Sequence, residues 1–221
     1  MSARVVCISR TVAAGGESVG RSVSDRLGFR YVDEEIISTA AEKANVDVTR
    51  VAEAEHRQSL LDRLFDAMKW GAGDVVGTEY FVLTPVALDE FYAQGVPVVP
   101  TIREEYRALI REVIHEVASQ GNAVIVAHAA SMALAGTPGV LRVLVTASLA
   151  TRAQRLWREG HLLKEDDATK ALKESDRERK DYLYRFYQIR EELPTHYDLV
   201  VNTDHLSPEQ AVDVIVRAAQ C

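Results

Sequence analysis

Short apolar runs alternate with longer amphipathic stretches along this chain, and that rhythm limits its fold more than any other feature. The apolar runs cover residues 5–9, 29–32, 123–127, 141–146 and 198–202. They are rich in β-branched residues and too short for helices, so each predicts a buried strand. Helical spacing fills residues 17–27, 34–44, 102–120, 149–159, a charged stretch from 165 to about 192, and 208–219. Gly28 and Gly121 stand where two of these helices stop, as glycine commonly does. Ser207 before Pro208 and Glu209 reads as a capped helix start. Strands separated by helices predict an α/β fold, a parallel sheet wrapped by helices.

Residues 45–100 break the alternation. Val51, Ala54, Leu60, Leu61, Leu64, Phe65 and Met68 recur at helical spacing, and "GAGDVVGTEYFVLTP" and "YAQGVPVVP" then suit a small irregular or hairpin unit. The segment reads as a helical insertion covering one end of the sheet. It could extend the core, close over a substrate, or use its apolar residues 75–99 to join two copies in a homodimer. A length of 221 residues allows a single domain carrying such an insertion.

The net charge of −7 argues against general nucleic-acid binding, which depends on Lys and Arg neutralising phosphates. The two cysteines, Cys7 and Cys221, form no CxxC pair and support neither a disulfide framework nor a zinc site. No apolar run approaches the roughly 18 residues of a membrane span, and no signal-type segment opens the chain. A soluble cytoplasmic protein acting on small molecules is expected, with no membrane or nucleic-acid partner.

Three stretches carry chemistry. "TVAAGGESVG", residues 11–20, joins the first strand to the first helix. Set against the phosphate-loop pattern G-x-x-x-x-G-K-[ST], Gly15 is the second glycine, Arg10 takes the place of the first, Gly16 that of the lysine and Glu17 that of the hydroxyl. Ser18 follows one residue late. The pattern fails, yet a Gly-containing turn at a helix start still offers unpaired N–H groups and a positive dipole end. Read alone, it is either a turn or an anion cradle.

The second stretch, residues 141–159, ends a strand and opens a helix bearing Arg152, Arg155 and Arg158 at three-residue spacing. Such a row is either a solvated face or a set of planar forks for phosphate. The third, "KESDRERKDYLYRFYQI" at 173–189, mixes Arg177, Arg179, Lys180 and Arg185 with aromatics. Tyr182 and Phe186 lie four apart, as do Asp176 and Lys180, which gives one packed and one charged face. The two arginine helices flank "GHLLKEDDA" and predict a hairpin over 160–190 able to close over phosphates.

In order, these stretches resemble the cytidylate-kinase-like branch of the P-loop nucleoside monophosphate kinases. "ISRTVAAGGESVGRSVSDRLGFRYVDEEII" is similar to its opening, "GNAVIVAHAA" to its third strand, "TASLATRAQR" to its fourth strand and arginine helix, "SDRERKDYLYRFY" to its lid helix and "YDLVVNTDHLSPEQAV" to its last strand and helix. The resemblance implies a three-layer P-loop domain with a five-stranded parallel sheet, a monophosphate-binding lobe at 45–100 and a lid at 160–190. It implies γ-phosphoryl transfer from ATP, with Mg²⁺, to a nucleoside monophosphate or related acceptor. Arg10 and the amides of Ala14, Gly15, Gly16, Glu17 and Ser18 would hold the ATP phosphates, with Ser18 a possible magnesium contact. Arg152, Arg155, Arg177 and Arg179 would be catalytic, covering the transferring group, and Asp33 and His128 would face the acceptor.

Two departures accompany the resemblance. The loop lysine of authentic cytidylate kinases is absent, as is common in this branch, which has a second glycine there. The Gly-Arg pair that follows the family's third strand is replaced by Ala127 and His128. A neutral imidazole is no substitute for a permanent bidentate cation. A nucleotide-binding or regulatory module that has lost the chemistry is therefore an alternative, and a protein that binds no nucleotide a third.

Overall fold

Alternate residues of the first strand face opposite sides of the sheet, and each side has its own helices. In the computed structural model, which describes residues 2–33, 35–48, 51, 100–126, 129–158 and 165–221, the strands are β1 (Val5–Arg10), β2 (Arg30–Val32), β3 (Ala123–Val126), β4 (Val140–Thr146) and β5 (Leu199–Asn202). They form one five-stranded sheet in the order β2-β3-β1-β4-β5, and every pairing is parallel. The helices are α1 (Gly16–Leu27), α2 (Glu35–Ala44), α3 (Pro100–Gln120), the single-turn α4 (Ala130–Ala133), α5 (Leu149–Arg158), α6 (Glu165–Tyr187) and α7 (Pro208–Ala219).

Val5 and Cys7 of β1, with Ala123 and Ile125 of β3, pack against Ile36 and Ala40 of α2 and Ile110 and Ile114 of α3. Val6, Ile8, Val124 and Val126 face the other way, onto Val19 and Val23 of α1 and Val212 and Ile215 of α7. This period-2 division makes three layers, helices on sheet on helices, as expected of the P-loop type. A Cβ on Gly20 would stand 2.7 Å from Val126 Cγ2, so α1 lies unusually close to the sheet. Helix α7 begins as its sequence indicates, with Gln210 N–H donating to Ser207 Oγ at 3.3 Å and Ser207 N–H to Gln210 Oε1 at 2.9 Å.

A third cluster (Ala153, Leu156, Ala168, Ala171 and Leu172) joins α5 to α6 and takes in Val12 and Ala13 of the loop after β1. Helix α6 stops at Tyr187 instead of continuing towards 192. Gln188 adopts φ 56°, and Ile189 N–H turns back to Leu183 O at 3.2 Å. This left-handed ending satisfies the last carbonyls without a glycine. Among the described residues no helix is long and apolar enough to cross a membrane. Most of the expected insertion at 45–100 lies outside the described residues, as do Ala127, His128 and the connection 159–164.

Candidate active site

Because β1 lies between β3 and β4, the loop that leaves it sits at the middle of the sheet's carboxyl edge, where parallel α/β sheets form their ligand crevices. Thr11 N–H extends the ladder to Val145 O at 3.2 Å, and Ala14 N–H returns to Thr11 O at 3.1 Å. Ala13 (φ 61°) and Gly15 (φ 81°) are both left-handed, and this turns the chain into α1. The side chain of alanine makes that conformation costly, so something must hold it.

The restraint comes from far along the chain. Val12 O accepts from Arg152 Nη1 at 3.5 Å, Ala13 O from Arg155 Nη1 at 3.5 Å, and Ala14 O from Thr203 Oγ1 at 2.9 Å. Three consecutive carbonyls are thus tied to the α5 and β5 side. Among the described residues no acceptor meets the N–H groups of Gly15, Gly16, Glu17 and Ser18. Oriented amides of this kind at a helix start form an anion-binding concavity.

The expected arginines occupy different places. Arg152 is only 5% exposed. Its guanidinium grips Asp176 through two bonds of 2.9 and 2.6 Å, and its Nε donates to Ala147 O at 3.2 Å. Arg155 donates to Thr203 Oγ1 at 3.0 Å and Thr203 O at 2.5 Å. Both sit behind the loop and shape it. At the start of α5, Ser148 N–H donates to Asp204 Oδ1 at 2.9 Å, and the Thr151 hydroxyl and this amide hold the Asp204 carboxyl down at about 2.

On α6, Arg177 is mostly exposed and pairs with Glu174 one turn earlier. Arg179 donates to Glu192 from Nε at 2.9 Å and from Nη2 at 2.6 Å, and to Tyr197 Oη at 3.4 Å. Tyr197 donates to the same carboxylate. Burial opposes the Arg179 charge, but Glu192 holds it above the ordinary guanidinium value. For Glu192, burial raises the carboxyl, and Arg179 outweighs it to leave the group below the usual carboxylate range. A cavity of about 230 Å³ lies between this cluster and the loop, lined by Thr11, Asp176, Arg179, Lys180 and Glu192 among others.

Asp33 lies just past β2, on the same carboxyl edge, and accepts from Tyr31 Oη at 3.1 Å. Burial and the Asp33 carboxylate push the Tyr31 hydroxyl above the ordinary phenol value. Arg21 stacks on the Tyr31 ring at 4.2 Å. His128 is outside the described residues. Ser18 Oγ donates to Gly15 O at 2.9 Å, which leaves its lone pairs for a cation. Among the described residues no group of three or more His, Cys, Asp and Glu could hold a metal. Cys7 is buried in the core, which pushes its thiol up to about 12 and makes it unreactive.

Asp176, Glu192, Tyr197 and Thr203 escaped the sequence reading as site residues. Asp176 had an explanation of its own as the partner of Lys180. Thr203 carries no local signal, because its partners Ala14 and Arg155 lie 189 and 48 positions away.

The chain matches the model of the cytidylate kinase-like family over residues 5–205. It is 23% identical over 212 residues to a cytidylate kinase from Sulfolobus acidocaldarius, an alignment covering 96% of this chain and 91% of that one. The crystal structure of an uncharacterized protein from Eubacterium ventriosum ATCC 27560 superposes with a TM-score of 0.62 at 14% identity, covering 97% of both chains.

Proposed function

The chain belongs to the cytidylate kinase-like family, and from that premise we propose that it transfers the γ-phosphoryl group of MgATP to a nucleoside monophosphate or a related small acceptor. The observation that carries this reading is the loop: amides at 15–18 meet no acceptor among the described residues, while Arg152, Arg155 and Thr203 hold the carbonyls before them. In the step, an acceptor oxygen forms a bond to the γ-phosphorus, the bond to the β–γ bridging oxygen breaks, and ADP leaves. Charge spreads over the transferring oxygens, so cations and oriented amides supply most of the catalysis. The magnesium enters with ATP as part of the substrate.

Within this reading the expected arginines divide by task. Arg152 and Arg155 shape the loop, and Arg179 stands over the cavity next to Thr11 with Glu192 fixing its fork. Arg177, 68% exposed, is free to swing towards an incoming phosphate at the cost of a surface ion pair. Asp33, just past β2 on the same carboxyl edge, faces the acceptor.

A screen of CMP, dCMP, UMP and other acceptors with MgATP, read as ADP formation, tests the proposal. ADP released only in the presence of one acceptor class is the expected result. MgATP binding with no ADP from any acceptor would sink the kinase reading in favour of a nucleotide-binding module, which Glu17 at the hydroxyl position favours. Arg177→Ala is expected to lower kcat about tenfold or more while leaving ATP affinity nearly unchanged.

A further inference from the structure

In the phosphate-loop pattern the first position is glycine and the seventh lysine. Here Arg10 stands at the first and Gly16 at the seventh, so the cation and a glycine have exchanged places. The structure gives the exchange a steric cause. A Cβ built on Gly16 would stand 2.5 Å from Arg10 Cβ, 3.1 Å from Cδ and 3.3 Å from Cγ. The aliphatic stem of Arg10 therefore runs across Gly16, through the space a side chain at residue 16 would leave by. Arginine at one position and any side chain at the other exclude each other.

Resting on the kinase reading above, we infer that Arg10 supplies the phosphate-binding cation that such loops draw from the lysine, and that Glu17 is the carboxylate from which phosphate must take it. The Arg10 side chain is 25% exposed and its guanidinium pairs with Glu17 through Nη2. Its Nε is buried and without a hydrogen bond among the described residues. The fork thus reaches the first turn of α1, where the Glu17 and Ser18 amides start. A guanidinium stays charged and can grip two oxygens, so it meets the electrostatic need that the lysine meets as a point charge. Glu17 has two effects. It keeps the fork at the mouth of the loop, and as a carboxylate it competes with the phosphates.

The test is MgATP titration by calorimetry on the full chain and on Arg10→Met, which keeps the stem and removes the charge. Two further samples are Glu17→Gln and the double variant Arg10→Gly with Gly16→Lys, which restores the usual arrangement. Thermal unfolding of each confirms folding. Loss of a charge-assisted contact predicts roughly 10- to 100-fold weaker binding for Arg10→Met. The double variant should recover most of that loss, and Glu17→Gln should bind a few-fold tighter than the unaltered chain. Gly16→Lys alone, with Arg10 retained, should fail to bind because the two side chains collide.

Equal affinity of Arg10→Met and the unaltered chain overturns the inference and leaves the kinase reading standing. So does a folded double variant that does not bind. Unchanged or weaker binding by Glu17→Gln removes Glu17 from the role assigned to it. If the unaltered chain fails to bind MgATP at millimolar concentration, the kinase reading falls and takes the inference with it.

Discussion

Thr203 has one hydroxyl and three tasks. It donates to Ala14 O, stands 3.3 Å from Thr146 O and accepts from Arg155. Thr203→Val keeps the shape and leaves a buried carbonyl and a guanidinium N–H without their partner. It should destabilise by about 1–3 kcal/mol, or a few degrees in Tm, and weaken MgATP binding; Thr203→Ser should do neither. Thermal unfolding with calorimetry checks both, and an unaltered affinity would separate the brace from the loop's function. Gly20 tests packing instead of polarity. Gly20→Ala brings a methyl to within 2.7 Å of Val126, so urea denaturation should show a loss of about 1–3 kcal/mol. Individual residues also show how the arginine row divides. Each three-residue step falls about 60° short of a full turn, so the row winds round the helix. Arg152 ends up buried, Arg155 half-buried and Arg158 exposed. Periodicity found the row, but only packing against the loop and α6 could show which members faced inward.

Helix α6 is tied down by its own sequel. The left-handed Gln188 turns the chain back so that Glu192 meets Arg179. The folded Glu192 carboxyl lies below its ordinary value of 4.5. Its contribution to stability is therefore complete above the ordinary carboxylate range and disappears as pH falls through the depressed folded value. Comparison with Glu192→Gln isolates it from Asp198 and Asp204, which are also lowered. The difference in urea midpoint between the two proteins should be largest near neutral pH and shrink towards pH 3. A constant difference would mean that the charge of Glu192 does nothing for the tether. None of this was legible beforehand. No glycine or proline interrupts the chain between Glu165 and Leu193, so the pattern ran on as helix. In contrast, α7 was legible to the residue, because Ser207, Pro208 and Glu209 encode its start locally.

For the molecule as a whole, the alternation was legible, and β1 and β3 most clearly, because burial on both faces leaves a strong apolar signature. The order of the strands across the sheet was not. The runs at 5–9, 123–127, 141–146 and 198–202 carry similar β-branched chemistry, and nothing in β1 itself says that β3 and β4 will flank it. That order puts the loop next to β4 and α5, and so makes the long-range brace possible. It also has a consequence for the life of the chain. Thr203 and the Ala14 carbonyl that it holds are 189 positions apart. At usual rates of translation, about 10–40 s pass between the synthesis of one and the other. A half-made chain on the ribosome carries the loop's residues without its clasp. The first segment to be made is thus among the last to gain the contacts that hold its shape.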